Sequence, residues 1–169
     1  MPSHIADTIP KQADLNSPES LAPALEGAHA CFLVTNFWEI FSAEKEIQQG
    51  KNVADAAKKA GVKHLIASTL LNVTEASKGR LPNISHFDGK AKIEEYIRES
   101  GVPATFIWPG MFMTAYYDSL RKNQDGVYQL ALPVSDEKAR LPLFDPAGDT
   151  GMVVCSTELK YGRILTFFR

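Results

Sequence analysis

Asn83-Ile84-Ser85-His86-Phe87-Asp88-Gly89-Lys90, with the amphipathic run Ala91 to Ser100 behind it, decides how this chain is read. The strongly apolar His64-Leu65-Ile66-Ala67-Ser68 precedes it and Ala104-Thr105-Phe106-Ile107-Trp108 follows it. The order is strand, polar loop, a helix beginning near Asp88, then strand, which is a βαβ unit. In such a unit the groups that do chemistry gather where strands end and helices begin, because backbone donors are free there and a crevice is open. His86 and Lys90 fall at that end and project to about one side of an opening helical turn. Spacing alone leaves two readings open: a functional pair, or a surface loop histidine beside a solvated lysine.

Working outward, Ala28 to Asn36 reads as a strand with a continuous apolar run, Ala30-Cys31-Phe32-Leu33-Val34. Continuous rather than alternating apolarity predicts a strand covered on both faces, as in a parallel α/β sheet. Ala43, Ile47, Gly50, Val53, Ala54, Ala57 and Ala60 share one face of a helix that Gly61 ends. Val62 to Ser68 is the next strand, and Thr69 to Pro82 a polar loop. On the central helix Ile93, Tyr96 and Ile97 point inward, Glu94, Glu95, Arg98 and Glu99 outward, and Ser85 with Asp88 has the form of a capping box.

Upstream, Ser17-Pro18 predicts a helix start with Leu21, Ala24 and Leu25 as its buried stripe and Gly27 as its stop. Pro23 inside it leaves Ser20 as an alternative start. Residues 1–12 are expected to be weakly ordered. Downstream, Met111 to Leu120 reads as a helix whose Met and aromatic residues belong to a core. Gln124-Asp125-Gly126 reads as a turn, Val127 to Leu132 as a short strand, Leu141 to Asp145 as extended, and Asp149-Thr150-Gly151 as the start of a helix carrying Met152-Val153-Val154. The tail, within residues 155–169, shows no pattern from Lys160 onward.

A chain of 169 residues supports one domain with a core, and 44% hydrophobic with 22% charged residues is ordinary globular composition. A net charge of −2 offers no electrostatic case for nucleic acid or an anionic membrane as partner. No apolar stretch approaches the roughly 20 residues of a membrane span, and no secretory signal pattern opens the chain. A cytoplasmic location is expected, with the nucleus added for a regulator. The cysteines, Cys31 and Cys155, read as buried free thiols, and no metal site is expected.

Ala13-Asp14-Leu15-Asn16, Gly27 to Glu39, His86-Phe87-Asp88-Gly89-Lys90, Trp108-Pro109-Gly110-Met111-Phe112-Met113 and Asp149-Thr150-Gly151 together resemble the NmrA-like family of atypical short-chain dehydrogenase/reductases, especially its fungal branch. The resemblance runs in order over about residues 13–154. It implies an α/β fold, a partial Rossmann-type doubly wound parallel sheet of three to four strands with flanking helices, and NADP as cofactor. Position by position it implies Asp14-Leu15 at the end of a strand beside the adenine, and Thr35-Asn36-Phe37 along the cofactor. It places Ser68-Thr69 near the catalytic serine/threonine position, Lys90 on the nicotinamide ribose, and Pro109-Gly110-Met111-Phe112 past the nicotinamide. Thr69, His86 and Lys90 are the candidate catalytic residues. Ordinary members of the superfamily carry a proton-donating tyrosine four residues before the lysine, and here His86 stands in that place.

The family's glycine-rich pyrophosphate turn does not occur upstream of Asp14. In the Rossmann order 3-2-1-4-5-6, a chain without strands 1 and 2 is expected to leave an apolar edge at Ala30 to Val34, open to pairing with a second copy. Three functions follow as expectations: an NADP-dependent oxidoreductase acting on a small organic carbonyl or enone; a non-catalytic NADP(H) redox sensor or transcriptional regulator that binds nicotinamide cofactor or a regulatory protein such as a transcription factor; and an inactive remnant acting by association.

Overall fold

Phe32 and Ile66 face one side of a parallel sheet while Cys31, Leu33, Leu65 and Ala67 face the other, so both strands bury residues of either parity. The computed structural model describes residues 11–130, 140–159 and 165–168; the expected weak order of the N-terminus falls largely on residues 1–10, outside them. In chain order the elements are α1 (Pro18–Leu25), β1 (Ala30–Leu33), α2 (Phe37–Ile40), α3 (Ala43–Ala60), β2 (His64–Ser68), α4 (Val73–Ala76), α5 (Ser85–Ser100) and β3 (Ala104–Ile107). There follow β4 (Met111–Phe112), α6 (Ala115–Ser119), β5 (Leu120–Lys122), β6 (Tyr128–Leu130), β7 (Leu143–Phe144), α7 (Asp149–Leu159) and β8 (Leu165–Phe168). The main sheet is four-stranded in the order β3-β2-β1-β8, with every pair parallel. Helices α1, α3 and α5 cover the face that holds the larger core, and Val154 of α7 closes the other over Phe32 and Ile66. No helix among the described residues is long and apolar enough to cross a membrane.

The close approach of α3 to α5 rests on small residues. A Cβ added at Gly50 would lie 2.5 to 2.8 Å from three side-chain carbons of Ile93, well inside van der Waals contact. Ser42 caps α3 by accepting from the Lys45 amide at 3.3 Å, and Gly61 and Gly101 close the two helices. Lys58 Nζ donates to the Ser100 carbonyl at 2.8 Å, satisfying an orphan acceptor at the end of α5.

Several expectations are corrected. The long helix starts at Ser85, not near Asp88, and its Ile84 N-cap makes no side-chain cap bond. Asp88 instead accepts from the Val73 amide at 2.8 Å, the Thr74 amide at 3.2 Å and the Thr74 hydroxyl at 2.6 Å, which anchors α4 to the helix and replaces the expected capping box. Glu94 is 8% exposed rather than outward. The helix over Met111–Leu120 gives way to β4 and the short α6, because the Met111 and Met113 amides donate to the Pro142 and Phe144 carbonyls at 2.8 and 2.9 Å. Gly110 permits that pairing, since a Cβ there would lie 2.4 Å from the Pro142 carbonyl oxygen. Phe112, Met113 and Tyr117 are exposed, so this segment is not core.

Cys31 is buried, which pushes its thiol up to about 12, whereas Cys155 is exposed. The apolar edge at β1 is occupied by β8, paired in register from Ala30↔Leu165 to Leu33↔Phe168, so the part of the tail without a sequence pattern supplies the neighbour that an open edge would lack. Asp14-Leu15 ends no strand; the Asp14 carboxylate accepts from the Asn16 amide at 2.8 Å in a turn leading to α1. That helix does start at Pro18, with Pro23 inside it. The expected strand from Val127 is β6, and its residues 131 and 132 lie outside the described ones.

Gly50→Ala is expected to destabilise the protein by about 1–3 kcal/mol, the overpacking cost outweighing the roughly 0.5–1 kcal/mol gained from helix propensity. Urea denaturation checks this, and Ile93→Ala in the same chain should recover part of the loss relative to its own single variant.

Candidate functional site

Helix α5 brings Lys90 under the end of β1, where Thr35 stands two residues beyond the last strand residue, Leu33. Lys90 Nζ donates to the Thr35 carbonyl at 2.7 Å, to the Thr35 hydroxyl at 2.9 Å and to Glu46 Oε1 at 3.0 Å. The Thr35 hydroxyl in turn donates to Glu46 Oε1 at 2.8 Å. An ammonium has three protons, and here each has an internal acceptor. The Glu46 side chain is 0% exposed and that of Lys90 13% exposed, so the pair is desolvated. Glu46 Oε2 has no hydrogen-bond partner among the described residues. A Cβ at Gly89 would lie 3.3 Å from that oxygen, so the glycine makes room for it.

A second buried carboxylate stands on the same helix. Glu94 accepts from the Thr69 hydroxyl at 2.6 Å, Trp108 Nε1 at 2.8 Å, and Arg98 Nε and Nη2 at 3.0 and 2.7 Å. Burial by itself would raise its pKa; the hydrogen bonds from Thr69, Trp108 and Arg98 and the Arg98 charge outweigh burial and hold it below the usual range. Arg98 also lies over the Phe106 ring, 4.2 Å from its centroid. Thr69, expected at a catalytic position, is 1% exposed with its hydroxyl committed to Glu94, while Ser68 beside it is half-buried.

His86 lies among rings. Its centroid is 5.1 Å from Trp38, 5.8 Å from Phe37 and 5.0 Å from Phe87. Asn36 sets this geometry by accepting from the Trp38 amide at 3.2 Å as the cap of α2, and Phe41 ends that turn in a left-handed conformation. Trp38 and Phe41 are 60% and 71% exposed.

The structure therefore joins Lys90 to Thr35 and His86 to Phe37, and sets Ser68-Thr69 against the end of β3, where the Thr69 amide donates to Ile107 O at 2.9 Å. Pro109 and Gly110 continue from β3, and Phe112 lies against Phe144 at 5.9 Å. Leu15 and Asn16 are held by α3 instead, Asn52 Nδ2 donating to Leu15 O at 2.8 Å and Gln49 Nε2 to Asn16 Oδ1 at 3.2 Å, while the Asp14 amide donates to Ser20 Oγ of α1 at 2.9 Å. Glu46 and Glu94 were missed as site residues because both read as the charged face of an amphipathic helix. Their one available signal is that each falls within a turn of an expected inward position, Ile47 and Ile93.

An open parallel sheet with polar residues collected at the carboxyl ends of its strands and helices on both faces defines a Rossmann-type α/β protein. The chain belongs to the NmrA-like family, whose model matches residues 11–161. The nitrogen metabolite repression protein nmrA of Emericella nidulans is 30% identical over 144 residues, covering 81% of this chain and 39% of that protein. The NmrA-like family domain-containing oxidoreductase malD of Malbranchea aurantiaca is 31% identical over 159 residues, covering 85% and 47%. The crystal structure of NmrA, a negative transcriptional regulator, in complex with NAD superposes with a TM-score of 0.75 at 28% identity over 94% of this chain and 51% of that one. A triphenylmethane reductase from Citrobacter sp. complexed with NADP(H) gives 0.53 at 26% identity over 62% and 34%. The chain spans about half the length, or less, of these relatives.

Breaking a buried ion pair leaves an uncompensated charge, which costs about 3–5 kcal/mol. Lys90→Met is expected to lose stability on that scale by chemical denaturation, and Lys90→Met with Glu46→Gln to regain much of it. Asp88, held low first by the Thr74 hydroxyl, and Glu94 both have depressed folded-state pKa values. Their stabilisation is present above the unfolded carboxylate pKa and lost as pH falls through the folded one. Acid titration of stability should be shallower in Glu94→Gln than in the parent chain, and an unchanged slope would refute the assignment.

Proposed function

We propose that this chain binds the nicotinamide half of NAD or NADP at the carboxyl ends of β1, β2 and β3 and acts as a redox-linked regulatory module rather than as a reductase. The strand-end residues Thr35, Asn36 and Phe37, with Ser68, Pro109 and Gly110, fit such a group in placement: they lie at the strand ends, and Asn36 is exposed. The bound nucleotide would supply hydride chemistry. Lys90 carries the choice between binding and turnover. A lysine that assists a proton donor must lend its charge to that donor, and without nucleotide the Lys90 charge is neutralised by Glu46 with all its protons engaged. His86, in the donor's place, is packed against Phe37, Trp38 and Phe87. The 30% identity to a nitrogen metabolite repression protein, and the NAD and NADP complexes of NmrA, support the regulatory reading. It implies a regulatory protein as partner, in cytoplasm or nucleus.

A second reading is an NADP-dependent oxidoreductase of a small organic carbonyl or enone, with His86 as proton donor. The exposed Trp108, Phe112 and Met113 beyond β3 favour it, since they offer an apolar rim to an organic substrate, and so does the likeness to malD.

Titration with NADPH and NADP⁺, followed by cofactor fluorescence and thermal shift, tests both. The expected outcome is saturable binding with no NADPH oxidation across a panel of aldehydes, ketones and enones. Turnover of any of them would transfer the assignment to the second reading, and no binding at millimolar nucleotide would overturn both.

A further inference from the structure

We propose that Glu46 is the positioning residue of this site: it latches the Lys90 ammonium against Thr35 and sets how readily that ammonium is released to the hydroxyls of a nicotinamide ribose. The nucleotide in this statement rests on the function proposed above; the latch itself rests on the structure.

Helix α3 carries Glu46 into the contact with α5, where the carboxylate is fully buried. It has two routes to Lys90. One is direct, Glu46 Oε1 to Lys90 Nζ at 3.0 Å. The other passes through Thr35, whose hydroxyl donates to Glu46 and accepts from Lys90 at 2.8 and 2.9 Å. Because the Thr35 proton is spent on Glu46, its lone pairs turn to Lys90, and the carboxylate orients both groups. The third proton of Lys90 goes to the Thr35 carbonyl at 2.7 Å. A ribose diol can therefore reach Lys90 only by displacing an existing acceptor, and the one whose loss frees the most charge is Glu46. The unpartnered Glu46 Oε2, accommodated against the bare backbone of Gly89, leaves the carboxylate with spare acceptor capacity once Lys90 is withdrawn from Oε1.

The test has a ligand-free arm and a ligand arm. In the first, lysine acetylation rates are read by mass spectrometry. Lys90 in the parent chain should be among the slowest lysines, far slower than exposed Lys59. In Glu46→Gln it should react about tenfold faster, the change expected from losing one charge-assisted hydrogen bond. Thr35→Val, which removes only the relayed route, should give a smaller acceleration. A Lys90 that reacts as fast as Lys59 in the parent chain overturns the latch, whether or not any variant folds.

In the second arm, dissociation constants are measured for NADP⁺ and for 2′,5′-ADP, which lacks the nicotinamide ribose. Glu46→Gln should tighten NADP⁺ and leave 2′,5′-ADP unchanged, and in a Lys90→Met background it should move neither. Equal shifts for both ligands, or weaker NADP⁺ binding in Glu46→Gln, would overturn the proposal. If NADP⁺ does not bind the parent chain, the proposed function falls and the acetylation arm alone decides the latch.

Discussion

The buried ion pair between Lys90 and Glu46 ties the two longest helices together beneath the end of the first strand. A desolvated charge pair is tolerated only where its geometry is good and its remaining valences are filled. Thr35 fills them on one side, which obliges the chain to leave β1 at a fixed angle. The helices must also come close enough for Glu46 to reach, and Gly50, Gly89 and the alanines of α3 make that approach possible. Packing and electrostatics are one constraint here: a larger residue in the helix contact would push the carboxylate away from the ammonium.

The same logic operates about one turn further along α5, four residues on from Lys90. Glu94 gathers Thr69 from the end of β2, Trp108 from the end of β3 and Arg98 from its own helix. A carboxylate in that position links two strand ends through a side chain, where the sheet hydrogen bonds have stopped. Both carboxylates thus brace the end of the sheet at which Rossmann-type proteins place their ligands. Rigid support of this kind suits a site that must hold a ligand in one geometry.

Around these braces the surface is apolar. Trp38, Phe41, Trp108, Phe112 and Met113 are all exposed, on segments that follow β1 or β3. This exposed apolar area lies at the end of the sheet where Rossmann-type proteins place their ligands.

Hydrophobic periodicity determined much of this protein on its own. The continuous apolar runs around Phe32, Ile66 and Phe106 specified parallel strands, and the face of α3 through Gly50, Val53 and Ala57 specified a helix on a sheet, because burial depends on local pattern more than on partners. The positions of Thr35, Ser68 and Lys90 at one end of the sheet followed from that order. Tertiary structure alone decided what the polar groups do. Glu46 and Glu94 look like solvated helix charges until the opposite elements are in place, since a carboxylate is buried only when long-range donors such as Lys90, Thr69 and Trp108 arrive to satisfy it. The same holds for Met111–Phe112, whose helical pattern yields to pairing with Leu143–Phe144, and for β8, which has no internal pattern and becomes a strand through the free backbone edge of β1.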